Sequence, residues 1–253
     1  MWIAFHQTVP QLSSDRDPRF ASKLRCEDAA ASWNFGDVGI LVVADGLGSS
    51  HRPADASLLA SSIAIRNLCR DDFSGLGEER DASRLTAAVA GIRSEFLELI
   101  DSLEDSAEWK TTLGVAVVCG RDTLAYCLIG DSILAVQQDD LEGGGASQHL
   151  HLVEHPIRVS GQPTSTETLH SEVATWSSGL VRVPLMTGVL LSTDGLEGFI
   201  QDEESIPRLD GVFRTMLEKL RINDRQIIQE TLWTSEIRSR KQDDIGIALV
   251  SWI

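Results

Sequence analysis

The sequence has no long hydrophobic run and no leader-like N-terminus, and these two absences exclude several classes of protein. No stretch approaches the roughly 18 to 20 apolar residues that would cross a bilayer, so we expect no membrane partner. Residues 1–14 show no basic region followed by an apolar segment, which is not typical of a signal peptide. The expected location is the cytoplasm.

Paired cysteines are also missing. The four cysteines are widely separated and form no C-x-x-C pair, so the spacing of a zinc site is absent. A disulfide framework is typical of short secreted chains rather than of one this long. The sequence therefore predicts reduced, mostly buried thiols at Cys26, Cys69, Cys119 and Cys127.

Basic residues are in the minority. The chain has 38 acidic against 22 basic side chains, a formal net charge of −16. A surface with this balance repels the phosphate backbone of nucleic acids, so we expect no nucleic-acid partner. Bound divalent cations can reverse the sign locally, and an anionic substrate therefore stays open.

What the sequence does contain is a series of short apolar runs rich in Val, Ile and Leu. They are too short for helices and predict strands at 38–44, 113–119, 123–129, 133–137, 188–192 and 245–252. Gly-Arg-Asp at 120–122 and Gly-Asp-Ser at 130–132 are typical of the turns between antiparallel strands. Nearly continuous apolar strands imply that both faces of each sheet are covered.

Helical periodicity predicts the covering layers. Predicted helices lie at 53–71, 85–103 and 212–220. A fourth helix is predicted to begin near Asn223, which would be its N-cap residue. On the first two, the predicted buried residues are Leu58, Ile65, Leu68 and Cys69, then Leu85, Val89, Ile92, Phe96, Leu99 and Leu103. Residues 139–147 and 161–178 are predicted loops, neither of them an interdomain linker. The prediction is one α+β domain over 1–253, with stacked sheets and outer helices.

Acidic residues recur at the ends of the predicted strands. Asp45 and Asp194 each follow an apolar run and precede glycine, and Asp131 stands in the turn at 130–132. Asp243 and Asp244 directly precede the last strand, and Glu27 and Asp28 precede the first strong one. Carboxylates brought within about 4 Å repel by roughly 4 kcal/mol per pair at an effective dielectric near 20. A cluster of four would be untenable unless it were protonated or neutralised by cations, and hard oxygen ligands suit Mg²⁺ or Mn²⁺ rather than zinc.

The motifs, in their order, resemble the metal-dependent protein phosphatases of type 2C, which are Ser/Thr phosphatases, in a bacterial branch. The matching segments are CEDA (26–29), VVADGLGSS (42–50), TTLGVAVV (111–118), IGDSILAV (129–136), LLSTDGLEGF (190–199) and DDIGIALV (243–250). The resemblance implies a four-layer α-β-β-α sandwich, with two antiparallel sheets flanked by helices and a metal cleft at one rim.

The resemblance also implies a ligand set for two Mn²⁺ or Mg²⁺ ions that activate a water for direct attack on phosphorus. In that set Asp45 bridges the two ions and the Gly46 carbonyl binds one of them. Asp28, Asp45 and Asp194 are the implied catalytic residues. The remaining implied roles are second-ion ligands (Asp194 and Asp243), holders of water (Glu27 and Asp28), and a weaker third cation site (Asp131 with Asp194).

Lys23 and Leu47 depart from the family pattern, and Cys26 bears on a different phosphatase mechanism. Lys23 stands where the family often has the arginine that binds the substrate phosphate, and Arg25 lies nearby. Leu47 replaces a histidine that some members use as a general acid. Cys26 lacks the C-x5-R loop of cysteine phosphatases, because position 32 is Ser32. The sequence thus leaves open whether Lys23 or Arg25 binds phosphate.

Three functions are compatible with these residues. The first is an active Ser/Thr phosphoprotein phosphatase, acting on a phosphorylated protein and paired with a cognate Ser/Thr kinase in signalling. The second is a catalytically weak pseudophosphatase that serves as a regulatory binding module. The third is a two-metal phosphatase of small molecules. The complete set of metal-ligand positions favours the first over the second, and only a comparison of substrates separates the first from the third.

Overall fold

Ten strands and four helices lie in the part of the chain that the structure, a computed structural model, describes. It describes residues 1–10, 25–73, 79–139, 148–154, 167–171, 176–199, 206–232 and 244–253. In chain order the elements are β1 (Trp2–Val9), β2 (Asp28–Phe35), β3 (Val38–Asp45), α1 (Pro53–Leu68), α2 (Glu79–Asp101), β4 (Leu113–Cys119), β5 (Thr123–Ile129), β6 (Ile133–Asp139), β7 (Gln148–Glu154), β8 (Ser177–Arg182), β9 (Met186–Ser192), α3 (Ile206–Arg221), α4 (Arg225–Leu232) and β10 (Ile245–Trp252).

The strands form two five-stranded antiparallel sheets. One has the order β1-β10-β9-β6-β7 and the other the order β2-β3-β4-β5-β8. Their facing sides share a core that includes Trp2, Leu41, Val43, Leu134 and Val250. Because side chains alternate along a strand, Ile40 and Val42 of β3 point to the opposite face, away from the other sheet. Strand β3 is thus buried on both sides, as its nearly continuous apolar sequence predicts.

Helices cover the outer faces of both sheets. Residues of α1 and α2 pack on β3, β4 and β5 in one outer core, and those of α3 and α4 pack on β6, β9 and β10 in the other. The predicted α-β-β-α sandwich is therefore confirmed. Among the described residues, no helix combines the length and the apolar character needed to cross a bilayer.

The six strands predicted from apolar runs are all present, and β1, β2, β7 and β8 were not predicted. Strands β2 and β8 are rich in Ala, Ser and Gly, which have weak strand propensity, and both lie at sheet edges. Strand β8 begins at Ser177, inside the predicted loop 161–178, so that boundary is wrong. Most of the loop predicted at 139–147 lies outside the described residues.

The predicted buried faces of the first two helices are partly wrong. Leu58 is 62% exposed and Cys69 is exposed, because α1 packs through the small residues Ala56, Ala60 and Ala64 and ends at Leu68. On α2 the buried residues continue from Phe96 to Ile100 at helical spacing, which leaves the predicted core residue Leu99 exposed. Leu103, also predicted to be buried, lies beyond the end of α2 at Asp101 and is exposed.

Two smaller predictions also need correction. Asn223 does not cap α4; its φ of 57° places it in the left-handed region after α3, where its amide donates to the Leu220 carbonyl. The N-cap side chain is Asp224, whose Oδ1 accepts from the amide of Ile227 at 3.2 Å. All four cysteines are free thiols, but only Cys127 is fully buried.

The outer core under α2 gives a test of the fold. Phe96 is fully buried, so Phe96→Ala should lower the free energy of unfolding by about 3 to 5 kcal/mol through lost burial and a residual cavity. Leu99 on the same helix is 47% exposed, and Leu99→Ala should cost less than about 1 kcal/mol. Urea denaturation measures both, and equal losses would contradict the packing described for α2.

Candidate active site

Four aspartates meet at one rim of the sandwich because strands end there. Asp45 is the last residue of β3, and Asp28, the first residue of β2, is its direct cross-strand partner. Asp131 lies in the short connection between β5 and β6. Asp194 follows β9 and begins a 3-10 turn that ends at Phe199. Residues far apart in sequence therefore share one edge of the fold, as the strand-end pattern predicts.

Three of these carboxylates are close enough to share a cation. One oxygen from each of Asp45, Asp131 and Asp194 lies within 4.8 Å of the other two, and all three side chains are partly exposed. Burial, followed by the charges of Asp28 and Asp194, raises the pKa of Asp45 well above its usual range. Holding this group ionised therefore costs free energy unless positive charge is supplied.

The donor set of this cluster fits a hard divalent cation. It consists of carboxylate oxygens on the ends of strands, with no histidine or cysteine in the group. Mg²⁺ and Mn²⁺ take such oxygen ligands, whereas zinc sites usually include nitrogen or sulfur. Because the side chains are only partly buried, a bound cation would still have positions open to water or substrate.

Asp28 stands beside this group and is fixed in orientation. Its Oδ2 accepts hydrogen bonds from the Thr193 hydroxyl at 2.6 Å and from the Gly246 amide at 2.9 Å. A side-chain hydrogen bond between Asp28 and Asp45 is a further cause of the raised pKa of Asp45. Asp28 thus connects the two sheets at the rim and lies in contact with the central carboxylate.

Glu27 is held through its main chain. Its amide donates to Oδ2 of the buried Asp244 at 2.7 Å, and its carbonyl accepts from the Gly46 amide at 3.0 Å and from the Ser57 hydroxyl at 2.5 Å. Asp244 therefore anchors the segment that carries the acidic pair. Its neighbour Asp243, a predicted metal ligand, lies outside the described residues.

Only glycine fits at position 46. A Cβ built there would lie 2.2 Å from the Pro53 carbonyl oxygen and 2.4 Å from its carbon, so the start of α1 packs directly against this backbone. This packing fixes the backbone of Gly46, whose carbonyl is a predicted metal ligand. The Asp-Gly pair is thus set by packing as well as by turn chemistry.

Positive charge near the rim comes from Arg25. Its side chain is 76% exposed, and its Nη1 lies 3.5 Å from Asp55 Oδ1. A cavity of about 340 Å³ beside it is lined also by Cys26 and Asp28. The Cys26 thiol donates to the Asp28 carbonyl at 3.6 Å, which gives it a structural contact. Lys23, the other predicted phosphate-binding residue, lies outside the described residues.

The sequence reading missed the residues that hold these carboxylates in place. Thr193 and Asp244 lie inside quoted motifs but had no assigned role, and the pair Thr111–Thr112 that precedes β4 contacts the Asp45 backbone. The signal in the sequence was a Thr or Asp directly next to an apolar run. In the structure these polar residues are buried. Such residues rarely stay buried without a hydrogen-bond partner.

Comparison with solved structures identifies close likenesses of fold. The serine/threonine phosphatase of S. agalactiae has a TM-score of 0.66 at 16% identity, with 100% of both chains covered. Stp1 of Staphylococcus aureus has a TM-score of 0.61 at 17% identity, covering 100% of this chain and 94% of that one. The catalytic domain of PstP, in complex with 2 manganese ions, has a TM-score of 0.62 at 19% identity, covering 99% and 97%.

At these sequence identities the similarity to solved structures establishes the fold alone. The family is assigned by comparing the sequence with family models. No curated protein gives a significant match. Residues 18–232, which include all but the last of the motifs quoted above, match the family model described as protein phosphatase 2C. The chain therefore belongs to the protein phosphatase 2C family, the metal-dependent protein-serine/threonine phosphatases.

Proposed function

We propose that this rim is the catalytic centre, and that it removes phosphate from phosphoserine and phosphothreonine in proteins. The observation that carries the proposal is the close approach of Asp45, Asp131 and Asp194, with the pKa of Asp45 raised by burial and by its acidic neighbours. A cluster of this kind is stable as carboxylates only when cations neutralise it.

In this proposal Asp45 would be a ligand of both cations, and the Gly46 carbonyl would be a further ligand of one. Asp194 and Asp243 would hold the other, and Asp131 with Asp194 would hold a weaker third. When bound, such ions activate a water molecule and neutralise the phosphoryl oxygens. No cysteine or serine nucleophile is then needed.

Asp28 and Glu27 have a different proposed role. Because Asp28 Oδ2 accepts two hydrogen bonds, its position is fixed against both sheets, and a further side-chain hydrogen bond joins it to Asp45. The pair is thus suited to accept hydrogen bonds from waters and to orient the one that attacks. Such orientation supplies part of the rate enhancement without any covalent step.

The identity of the cations and the cellular role are proposed on family grounds. Two Mn²⁺ or Mg²⁺ ions per chain agree with the oxygen donor set and with the two manganese ions of the PstP complex. A phosphorylated protein as substrate, a cognate Ser/Thr kinase, a signalling role in the cytoplasm and a single catalytic domain over 1–253 complete the proposal.

Turnover should depend on divalent cations. Hydrolysis of an aryl phosphate and of a phosphothreonine peptide should vanish in chelator and return with Mn²⁺ or Mg²⁺, because the carboxylates alone cannot activate water. Colorimetric phosphate release measures both substrates. Full turnover after exhaustive chelation would contradict the mechanism, and turnover of only the aryl phosphate or another small phosphate ester would contradict the protein substrate.

The carboxylate cluster predicts that the order of the melting temperatures of wild type and Asp45→Asn reverses when metal is added. Without metal the variant should melt above wild type, because it removes a charge that burial and three neighbouring acids disfavour. With saturating Mn²⁺ the wild type should gain more, since binding at 100 times Kd stabilises by about 2.7 kcal/mol. Differential scanning fluorimetry measures both states.

The matched control for this reversal is Asp101→Asn, which neutralises an exposed carboxylate at the end of α2. It should leave both the metal-free melting temperature and the metal-induced shift close to wild type. An identical Mn²⁺-induced shift in wild type and Asp45→Asn would show that Asp45 is not a ligand.

Phosphate recognition should depend on Lys23 or Arg25. Loss of one charge-assisted hydrogen bond is worth roughly 1.5 to 3 kcal/mol, or about ten- to a hundredfold in kcat/KM. We expect that loss in either Lys23→Ala or Arg25→Ala, measured by steady-state kinetics on a phosphopeptide. Lys23→Arg should be tolerated, because it restores a forked donor. Wild-type kcat/KM in both alanine variants would show that the metals alone bind phosphate.

A further inference from the structure

The main chain of Asp45 is held by the two threonines that precede β4. The Asp45 amide donates to Thr112 Oγ1 at 2.9 Å, and the Thr112 amide donates to the Asp45 carbonyl, also at 2.9 Å. The Thr111 hydroxyl donates to the same carbonyl at 2.9 Å. Both threonines are almost fully buried, at 0% and 2% exposure. Two hydroxyls and one amide thus fix a single residue.

These contacts replace the sheet at the point where it ends. The regular pairing of β3 with β4 stops at Val43 and Gly114, two residues before Asp45. Beyond that point the Thr112 side chain, rather than a backbone carbonyl, accepts from the Asp45 amide. On its other side Asp45 is still paired with Asp28 of β2. The threonines therefore fix the side of Asp45 that the β-ladder leaves.

Thr111 is itself held from the helical layer. Its carbonyl accepts from the Leu169 amide at 2.9 Å, and the Leu169 carbonyl accepts from Arg93 Nε on α2 at 2.8 Å. Arg93 Nη2 also donates to the His170 carbonyl at 3.4 Å. A continuous series of hydrogen bonds thus runs from α2 through the segment 167–171 to Asp45.

A fixed main chain matters at this position because the Asp45 carboxylate is only two rotatable bonds from its backbone. The neighbouring carboxylates repel it, and a displacement of about 0.5 Å is enough to disturb a ligand shared between cations. Residues that orient a ligand without touching the ion typically change metal affinity by about 10- to 100-fold when removed.

We propose that Thr111 and Thr112 are positioning residues for the Asp45 metal ligand, and that Arg93 supports Thr111 through the backbone of Leu169. The proposal rests on the function proposed above, in which Asp45 binds the cations. Neither threonine needs to touch substrate or metal. Their proposed effect depends on the two hydroxyls. It can therefore be tested apart from the volume that the side chains fill.

The test removes each hydroxyl at nearly constant volume. Thr112→Val and Thr111→Val should bind Mn²⁺ about 10- to 100-fold more weakly than wild type, measured by isothermal titration calorimetry on metal-free protein well below its melting temperature. Thr112→Ser and Thr111→Ser should restore the affinity. A merely structural role would lower the metal-free melting temperature and leave the dissociation constant of the folded protein unchanged.

Thr123→Val is the matched control. Thr123 is equally buried, and its hydroxyl donates to Asp122 Oδ1 at 2.9 Å. It lies at the start of β5, whereas Asp131 and the other clustered aspartates lie at the opposite end of that strand. This variant also loses a buried hydroxyl and its hydrogen bond, but it should keep the wild-type affinity for Mn²⁺. A loss of affinity equal to that of the two valine variants at the rim would overturn the proposal.

A variant outside the core keeps the test valid if the valine variants fail to fold. Arg93→Met retains the apolar stem but loses both donated hydrogen bonds, and it should weaken Mn²⁺ binding by about twofold or more. Dissociation constants within twofold of wild type in every variant that folds would overturn the proposal. Failure of the wild type itself to bind Mn²⁺ would instead contradict the proposed function.

Discussion

Mutual repulsion among carboxylates is the constraint on which this structure depends. Asp45 lies within reach of Asp28, Asp131 and Asp194 in a partly desolvated position, and each neighbour makes its ionised form less favourable. The rest of the fold supplies the free energy that holds them together. The same arrangement that is unfavourable in the metal-free protein suits the binding of divalent cations, because the carboxylates are already gathered and would need little reorganisation on binding.

The two sheets provide that free energy in a specific way. Strand ends bring the acids to one rim, and buried polar groups then fix two of them: Thr193 and the Gly246 amide hold Asp28, and Asp244 and Ser57 hold the backbone of Glu27. The bonds made by Thr193, Gly246 and Asp244 connect the start of β2 to the end of β9 and the start of β10 across the sandwich. The metal site is therefore also one of the places where the sheets are joined by hydrogen bonds rather than by apolar packing alone, and its geometry depends on how the two layers are aligned.

The sequence predicts where the acidic residues cluster better than it predicts which residues hold them in place. Strands with apolar residues on both faces and Asp at their ends, such as β3 and β9, are visible because hydrophobic runs and punctuating Asp-Gly pairs are local patterns. Strand β2 was missed because small and polar residues fill it, although it carries Asp28. The hydroxyl of Thr193 and the carboxylate of Asp244 gain their roles only from partners 165 and 217 residues away, which no local pattern contains.

The proposed metal ligands and the proposed phosphate-binding residue differ in how firmly the fold holds them. The carboxylates stand on buried strand ends, whereas Arg25 is an exposed side chain whose partner, Asp55, is also close to Arg52. The net charge of −16 opposes the approach of a phosphorylated protein at long range, but salt screens that field beyond about 8 Å at physiological ionic strength. In the proposed function, affinity for the phosphate is then decided at contact distance, by the metal ions and a nearby basic side chain. An exposed arginine would suit that proposed role, because its side chain has room to adopt other rotamers, while the carboxylates on the strand ends keep the reacting centre fixed.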